Sequence, residues 1–373
     1  MKDETLLWRK AAVIGSLWAA SEIVLGSFLH NAHIPFSGRL LTGIGIAIMV
    51  AGHKLWPERG LLWRAGLVCA AMKSVSPSAV LLSPMIAIFT EALLAEGAVR
   101  LIGANAAGYL LAGGLVMSWG LIHKISKMLL LYGMASVAVY ARGLEKIRGL
   151  LGTPGGVWEP VLVLIGLYFL GGLAAALVGL KAAGRGDVLK CRPLAAGGIA
   201  AKKTGGPGYH SVSSLVLHLL VLAGLMASGW LPLAAAAGLS AAYGLTCARF
   251  YDRARALLVR GGMWAGVAGI SILAGLLLGD WGSGLRMAAR AFALTLGFAA
   301  VAQELLNPSV RLALERLAGK IFFQTLEYAF AALPLVLGAL PSGKDMLLRP
   351  AASLRTIITR APSLLSVDRD PAS

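Results

Sequence analysis

The chain has 373 residues, 58% of them hydrophobic and only 14% charged, with a mean hydropathy of +0.77. A soluble domain carries about 25% charged residues, so composition excludes a soluble enzyme, a disordered tail and a fibrous protein. The 34 basic and 17 acidic residues leave a net charge of +17. Lys and Arg gather in short loops between apolar runs, as positive-inside bias expects. No contiguous basic face with aromatic platforms for nucleic acid is visible.

Apolar runs fall at 11–29, 40–56, 61–76, 77–98, 105–122, 126–141 and 157–180, then at 212–228, 231–247, 262–279, 284–305 and 321–340. Backbone groups in hydrocarbon must be satisfied internally, so these runs are expected to be helices. The pattern predicts an all-α polytopic membrane protein of 10–12 transmembrane helices, multi-pass in the cell membrane. Residues 1–180 form a first membrane domain and 212–341 a second. A basic Gly-rich linker covers 181–211 and a basic tail 342–373. Lys2, Arg9 and Lys10 precede the first run as they do in a signal peptide, but the run is long and many spans follow, which predicts a retained helix.

Topology is tested by the charges. With the N-terminus inside, the loops at 53–64 (Lys54, Arg59, Arg64) and 142–148 (Arg142, Lys146, Arg148) both fall inside. Seven full crossings would then put the basic linker outside. One early segment is therefore expected not to cross, and 61–76, short and broken at Ser76-Pro77, is the choice. Pro334 is expected to interrupt the last run in the same way.

An ionisable group at bilayer depth costs about 2.5–3.5 kcal/mol, which makes each one a functional candidate. Glu22 sits midway along the first run, Lys73 beside the Ser74–Ser78 break, and Glu91 and Glu96 in the fourth run. Lys73 and Glu91 can pair across a hairpin, and Glu96 and Arg100 can form an i,i+4 pair. Lys73, Ser76 and Glu91 are candidates for binding substrate. The first loop, His30 to Gly38, places His30, Asn31 and His33 together. These can ligate a borderline metal, hydrogen-bond a polar organic ligand, or simply face headgroups. Ala12, Ser16 and Ala20 follow four-residue spacing, beside Ala11, Gly15 and Ala19, and let another helix approach closely.

Other chemistry is absent. Gly197 to Thr204 imitates a phosphate-binding loop, but Lys202 replaces its second glycine and no strand precedes it, so ATP binding is rejected. Cys69, Cys191 and Cys247 form no CxxC pair, and neither a disulfide framework nor a zinc site follows. No catalytic constellation appears; the chain is expected to be no enzyme and to need no cofactor.

Residues 8–180 resemble the substrate-capturing S component of energy-coupling-factor uptake transporters. The likeness rests on the helix count, the Ala12/Ser16/Ala20 stripe, the polar loop His30–Gly38, and the Lys73-Ser74-Val75-Ser76-Pro77 break followed by Pro84-Met85 and Glu91. His33-Ile34-Pro35 is distantly similar to the start of cobalt and nickel members, which carry it at the N-terminus. The resemblance implies that Ala12, Ser16 and Ala20 dock on a coupling subunit. It also implies that His30, Asn31 and His33 face a vitamin-like molecule or metal ion. The second half resembles the T component more faintly, through Gly284–Arg290, Asn307-Pro308-Ser309, Ala313–Leu317 and Leu333-Pro334. That family's Ala-Arg-Gly motifs contact ATPase subunits, and the triplet here, Ala141-Arg142-Gly143, stands in the first half. The rival expectation is an ion-coupled secondary transporter using Glu22, Glu91 or Asp280 as proton-linked carboxylates.

Overall fold

Capping and packing fix the helix ends in the computed structural model, which describes residues 2–31, 37–73, 82–152, 155–183, 212–227, 231–304, 310, 320–339, 345 and 348–364. Fourteen helices run through these residues, and no strand occurs among them. The first half comprises α1 (Lys2–Asn31), α2 (Ser37–Leu55), α3 (Leu61–Lys73), α4 (Leu82–Ile102), α5 (Ala106–Tyr132), α6 (Ala135–Leu151) and α7 (Glu159–Ala182). The second comprises α8 (Val212–Ala227), α9 (Leu233–Phe250), α10 (Asp252–Leu258), α11 (Gly261–Leu278), α12 (Trp281–Glu304), α13 (Lys320–Ala339) and α14 (Pro350–Leu364). Helices α5, α7, α11 and α12 are each long and apolar enough to cross a bilayer. The fold is that of an all-α polytopic membrane protein.

Helix α5 corrects the sequence boundaries. His123, Lys124 and Lys127 interrupt the apolar pattern, which suggested two runs at 105–122 and 126–141, yet one helix continues through them to Tyr132. It starts where the Asn105 side chain accepts from Gly108 N at 2.9 Å, satisfying an orphan donor of the first turn. It stops at Gly133, whose φ of +72° suits a residue without Cβ. Helix α13 likewise continues through Pro334, which was expected to break it.

Polar contacts define two ends of the first-half bundle. At the basal end, Lys10 of α1 meets Glu58, the His53 ring of α2 meets the Tyr109 hydroxyl of α5 at 3.0 Å, and Lys54 donates to Leu180 O of α7 at 3.2 Å. At the distal end, Lys73 of α3 reaches Glu22 of α1, and Ser83 of α4 meets His123 of α5. Helices α1 to α5 and α7 therefore run from one end to the other. Helix α6 does not: it starts where α5 finishes distally and returns to the distal start of α7, where Arg148 pairs with Glu159 at 3.3 Å. Helix α6 therefore stays at that end, and α3, with 13 residues as expected of a short segment, is likewise not among the helices long and apolar enough to cross a bilayer. Arg142, Lys146 and Arg148, expected in a loop, lie within α6, at the end opposite residues 53–64.

Close approach of backbones holds the bundle. A Cβ on Gly172 of α7 would land on the Gly113 carbonyl of α5, and a Cβ on Gly15 of α1 would lie 2.7 Å from Ala65 O of α3. In lipid, such contacts and polar pairs rather than apolar transfer select helix partners.

The second half is arranged around α12, which packs on α8, α9, α10 and α11. Its first turn is capped by Asp280, whose carboxylate accepts from Gly282 N at 2.9 Å, Ser283 N at 3.2 Å and Ser283 Oγ at 2.6 Å. Several contacts join this half to the first. Arg290 of α12 donates to Leu130 O at 3.0 Å. Arg142 of α6 donates to Leu278 O at 2.6 Å and Leu277 O at 3.2 Å, so the cation of the Ala-Arg-Gly triplet satisfies the carbonyl end of α11. Helix α13 packs along α1, with the Trp8 and Phe322 rings 5.9 Å apart. Helix α14, from the basic tail, buries Leu354, Ile357, Ile358 and Ala361 on one face against the first-half core.

Candidate functional site

The distal end of the first half gathers charge from separate helices. Glu22 lies six turns into α1, at the depth reached by the last residue of α3. Lys73 Nζ donates to Glu22 Oε2 at 2.8 Å, with the two side chains 20% and 13% exposed. The register follows from packing. Helices α1 and α3 run parallel, meeting at Gly15 and Ala65, and two turns further on each brings Glu22 beside Lys73. The expected Lys73–Glu91 pair is therefore not formed.

Glu91 of α4 is buried at 6% exposure and accepts no hydrogen bond among the described residues. Glu22 and Arg39 act on it electrostatically, and buried Cys69 lies in the field of Glu22, Lys73 and Glu91. Arg39, in the first turn of α2, stacks over the Tyr168 ring of α7 at 4.2 Å, a cation–π arrangement. Its Nε and Nη2 are buried without a hydrogen-bond partner among the described residues. Gly120 of α5 makes room for it, since a Cβ there would stand 2.8 Å from Arg39 Nη1. Beside this group, Trp119 Nε1 donates to Thr90 Oγ1 at 2.7 Å, and His123 Nε2 lies 3.2 Å from Ser83 Oγ.

Among the described residues, the arrangement thus offers a paired carboxylate and ammonium, a second carboxylate with no donor, and a guanidinium with unused donors. That set suits a small molecule carrying both acceptors and donors. Among the described residues no group of three His, Cys, Asp or Glu side chains is placed to hold a metal ion. Ser76, His33 and the side chains of His30 and Asn31 lie outside the described residues.

Other expected positions have clear surroundings. Ala12, Ser16 and Ala20 are each 0% exposed, because α1 is enclosed by α2, α3 and α13. Ser16 Oγ donates to Val13 O at 3.0 Å, so its hydroxyl is spent within α1. Glu96 pairs with Arg100 at 2.8 Å, as its spacing predicts. It is also a cap: its carboxylate accepts from Gly60 N at 2.6 Å and Leu62 N at 3.1 Å, tying α4 to the start of α3. Asp280 serves the start of α12 at a surface position, far from this cluster in the chain.

No family model, curated protein or solved structure matches this chain.

Sequence reading missed Arg39, Trp119, His123 and Tyr168. The only signal was Arg39 following directly on the polar loop, at the start of an apolar run. It also missed a second polar cluster, in which His218 of α8 lies between Tyr243 and Tyr251 and Glu304 of α12 is fully buried.

Proposed function

We propose that this chain is a membrane transport component whose first half captures a small polar substrate, a vitamin-like molecule or a metal ion, at its distal end. The observation that carries the reading is the convergence of Glu22, Lys73, Glu91 and Arg39 from four helices, with donor and acceptor capacity left over. An ionisable group is kept at this depth at a cost in stability, which function offsets. At the same end, where α1 gives way to α2, His30, Asn31 and His33 would contact the ligand.

The coupling is of the energy-coupling-factor type, with separate ATPase subunits powering uptake. Supporting this, the small-residue face of α1 is already covered within the chain, and α13 of the second half is one of the helices covering it. A fused coupling half would take the place of a separate docking subunit. A self-sufficient, ion-coupled transporter is the second reading, favoured by the buried Glu304 cluster in the second half.

The test is ligand-induced thermal stabilisation of the full chain in nanodiscs, screened with vitamin-like molecules and divalent metal ions. At least one ligand is expected to stabilise the protein, and Glu91→Gln, Arg39→Met and the His30→Ala/His33→Ala pair are expected to lose that response. An active ligand whose effect survives all three changes would place the site elsewhere. The isolated chain is expected not to hydrolyse ATP and to co-purify with an ATPase subunit from the same genome. Hydrolysis by the chain alone overturns the coupling reading, and absence of any ATPase partner favours the ion-coupled one.

A further inference from the structure

Four side chains in the second half form one hydrogen-bonded line. Tyr243 Oη of α9 lies 2.9 Å from His218 Nδ1, and His218 Nε2 lies 2.8 Å from Tyr251 Oη, in the joint between α9 and α10. Tyr251 Oη donates to Glu304 Oε1 at 2.5 Å, and Ser214 Oγ donates to the same oxygen at 2.8 Å. Glu304 is 0% and Tyr251 7% exposed. Since Tyr251 gives its proton to the carboxylate, its oxygen accepts from His218 Nε2–H. A neutral imidazole protonated at Nε2 has a bare Nδ1, which accepts from the Tyr243 hydroxyl. Every donor in the line therefore points the same way, toward Glu304.

At the other end of the line, the Tyr243 hydroxyl also has the Cys247 side chain as a hydrogen-bond partner. Tyr243 also lines a cavity of about 360 Å³ between α8 and α9, whose other lining residues include Val221, Leu225, Leu239 and Thr246. Thr246 Oγ1 is occupied by Ala242 O at 2.7 Å, so Tyr243 is the polar side chain that joins cavity to line. Gly297 of α12 preserves the geometry: a Cβ there would stand 2.9 Å from Tyr243 Oη and 2.8 Å from its ring.

We propose that Glu304 is a proton-loading site, filled from the cavity through Tyr243, His218 and Tyr251. When a proton binds Tyr243 Oη, the Tyr243 proton passes to His218 Nδ1, the Nε2 proton to Tyr251 Oη, and the Tyr251 proton to Glu304 Oε1. Three O–H or N–H bonds break and four form, the fourth accounting for the incoming proton. Net, one proton enters and the carboxylate becomes neutral. Release by the reverse sequence restores the first tautomer. A buried carboxylate is expensive to keep ionised in hydrocarbon, whereas a neutral one is not, so loading changes how firmly α12 is held to its neighbours.

Other ionisable groups among the described residues lie around the line. Helix α11 carries no ionisable residue. On α9, Cys247 contacts Tyr243. On α10, Asp252 and Arg255 face each other at 3.7 Å, and the Arg253 guanidinium has a buried Nη1 with no hydrogen-bond partner among the described residues. Arg286 and Arg290, earlier on α12, donate to Leu231 O and Leu130 O. On α5, Lys124 and Lys127 are exposed.

This inference stands apart from substrate capture in the first half, and its test reads no transport. Infrared difference spectra of the full chain in liposomes, between alkaline and acid pH, are expected to contain the C=O stretch of a protonated carboxyl that Glu304→Gln removes. After a rapid pH drop, that band is expected to rise about tenfold more slowly in Tyr251→Phe, equivalent to 1.36 kcal/mol of barrier. Ser271→Ala, which loses a hydroxyl bonded within α11, is expected to match the wild type. The wild type alone supplies a further readout, because a relay of exchangeable protons slows in D2O. Spectra indistinguishable between wild type and Glu304→Gln overturn the proposal. So does an unaltered rate in Tyr251→Phe, or, where that variant does not fold, an unaltered wild-type rate in D2O.

Discussion

The Glu22–Lys73 pair permits a quantitative test of how charge is held at the distal end. At 2.8 Å and an effective dielectric of about 20, the attraction is about 6 kcal/mol. Desolvation of both ions offsets much of this, at several kcal/mol each. Removing one partner is a different perturbation, because it leaves the other charge buried without compensation, at a cost of about 3–5 kcal/mol. With the side chains 20% and 13% exposed, each keeps some water, so the lower figure of about 3 kcal/mol applies here. Lys73→Met and Glu22→Gln should each destabilise the chain by that amount. The double substitution should cost about 1 kcal/mol or less, since no unpaired ion remains. Denaturant unfolding in mixed micelles measures all four corners of the cycle. The reasoning fails if the double variant is as unstable as the sum of the singles, because the two residues would then be uncoupled.

Two further perturbations probe the supports of the fold. Glu96→Ala removes the acceptor for Gly60 N, Leu62 N and Arg100, and should cost about 3 kcal/mol, as expected for buried charge-assisted hydrogen bonds. Unfolding midpoints within error of wild type would show the α3 start to be capped otherwise. The Asp280 carboxyl is held below its ordinary value, first by the Ser283 hydroxyl and then by Gly282 N–H. A depressed folded value stabilises the protein fully above the ordinary carboxylate range, near pH 4, and the gain is lost as pH falls through the folded value. Asp280→Ala should therefore flatten stability below about pH 4 relative to wild type; parallel pH profiles would contradict the cap.

What could be read from sequence was whatever depends on one helix at a time. The all-α class, the small-residue stripe of α1 and the Glu96–Arg100 spacing all follow from periodicity and composition. Helix α5 was divided wrongly because basic residues were weighed as span ends, while its real signals are Asn105 and Gly133. Lys73 was assigned to Glu91 because they are near in the chain; its partner depends on the parallel packing of α1 and α3, which no local pattern records. Arg39 and Tyr168, or His218 and Glu304, meet only after several helices assemble. Each of them, alone in an apolar run, looks like an isolated polar residue.

Packing and chemistry are linked in this chain through its glycines. Apolar surface gives little preference among helix partners in lipid, so backbone approach and polar pairs choose them. Gly15 lets α3 close on α1, and the same register, two turns on, sets Lys73 against Glu22. Gly120 leaves the space that Arg39 occupies, and Gly297 the space beside the Tyr243 hydroxyl. An added methyl at any of these positions would move a charged or proton-bearing group rather than only loosen a contact. The small residues of such a sequence are therefore part of its polar sites, even though they carry no chemistry themselves.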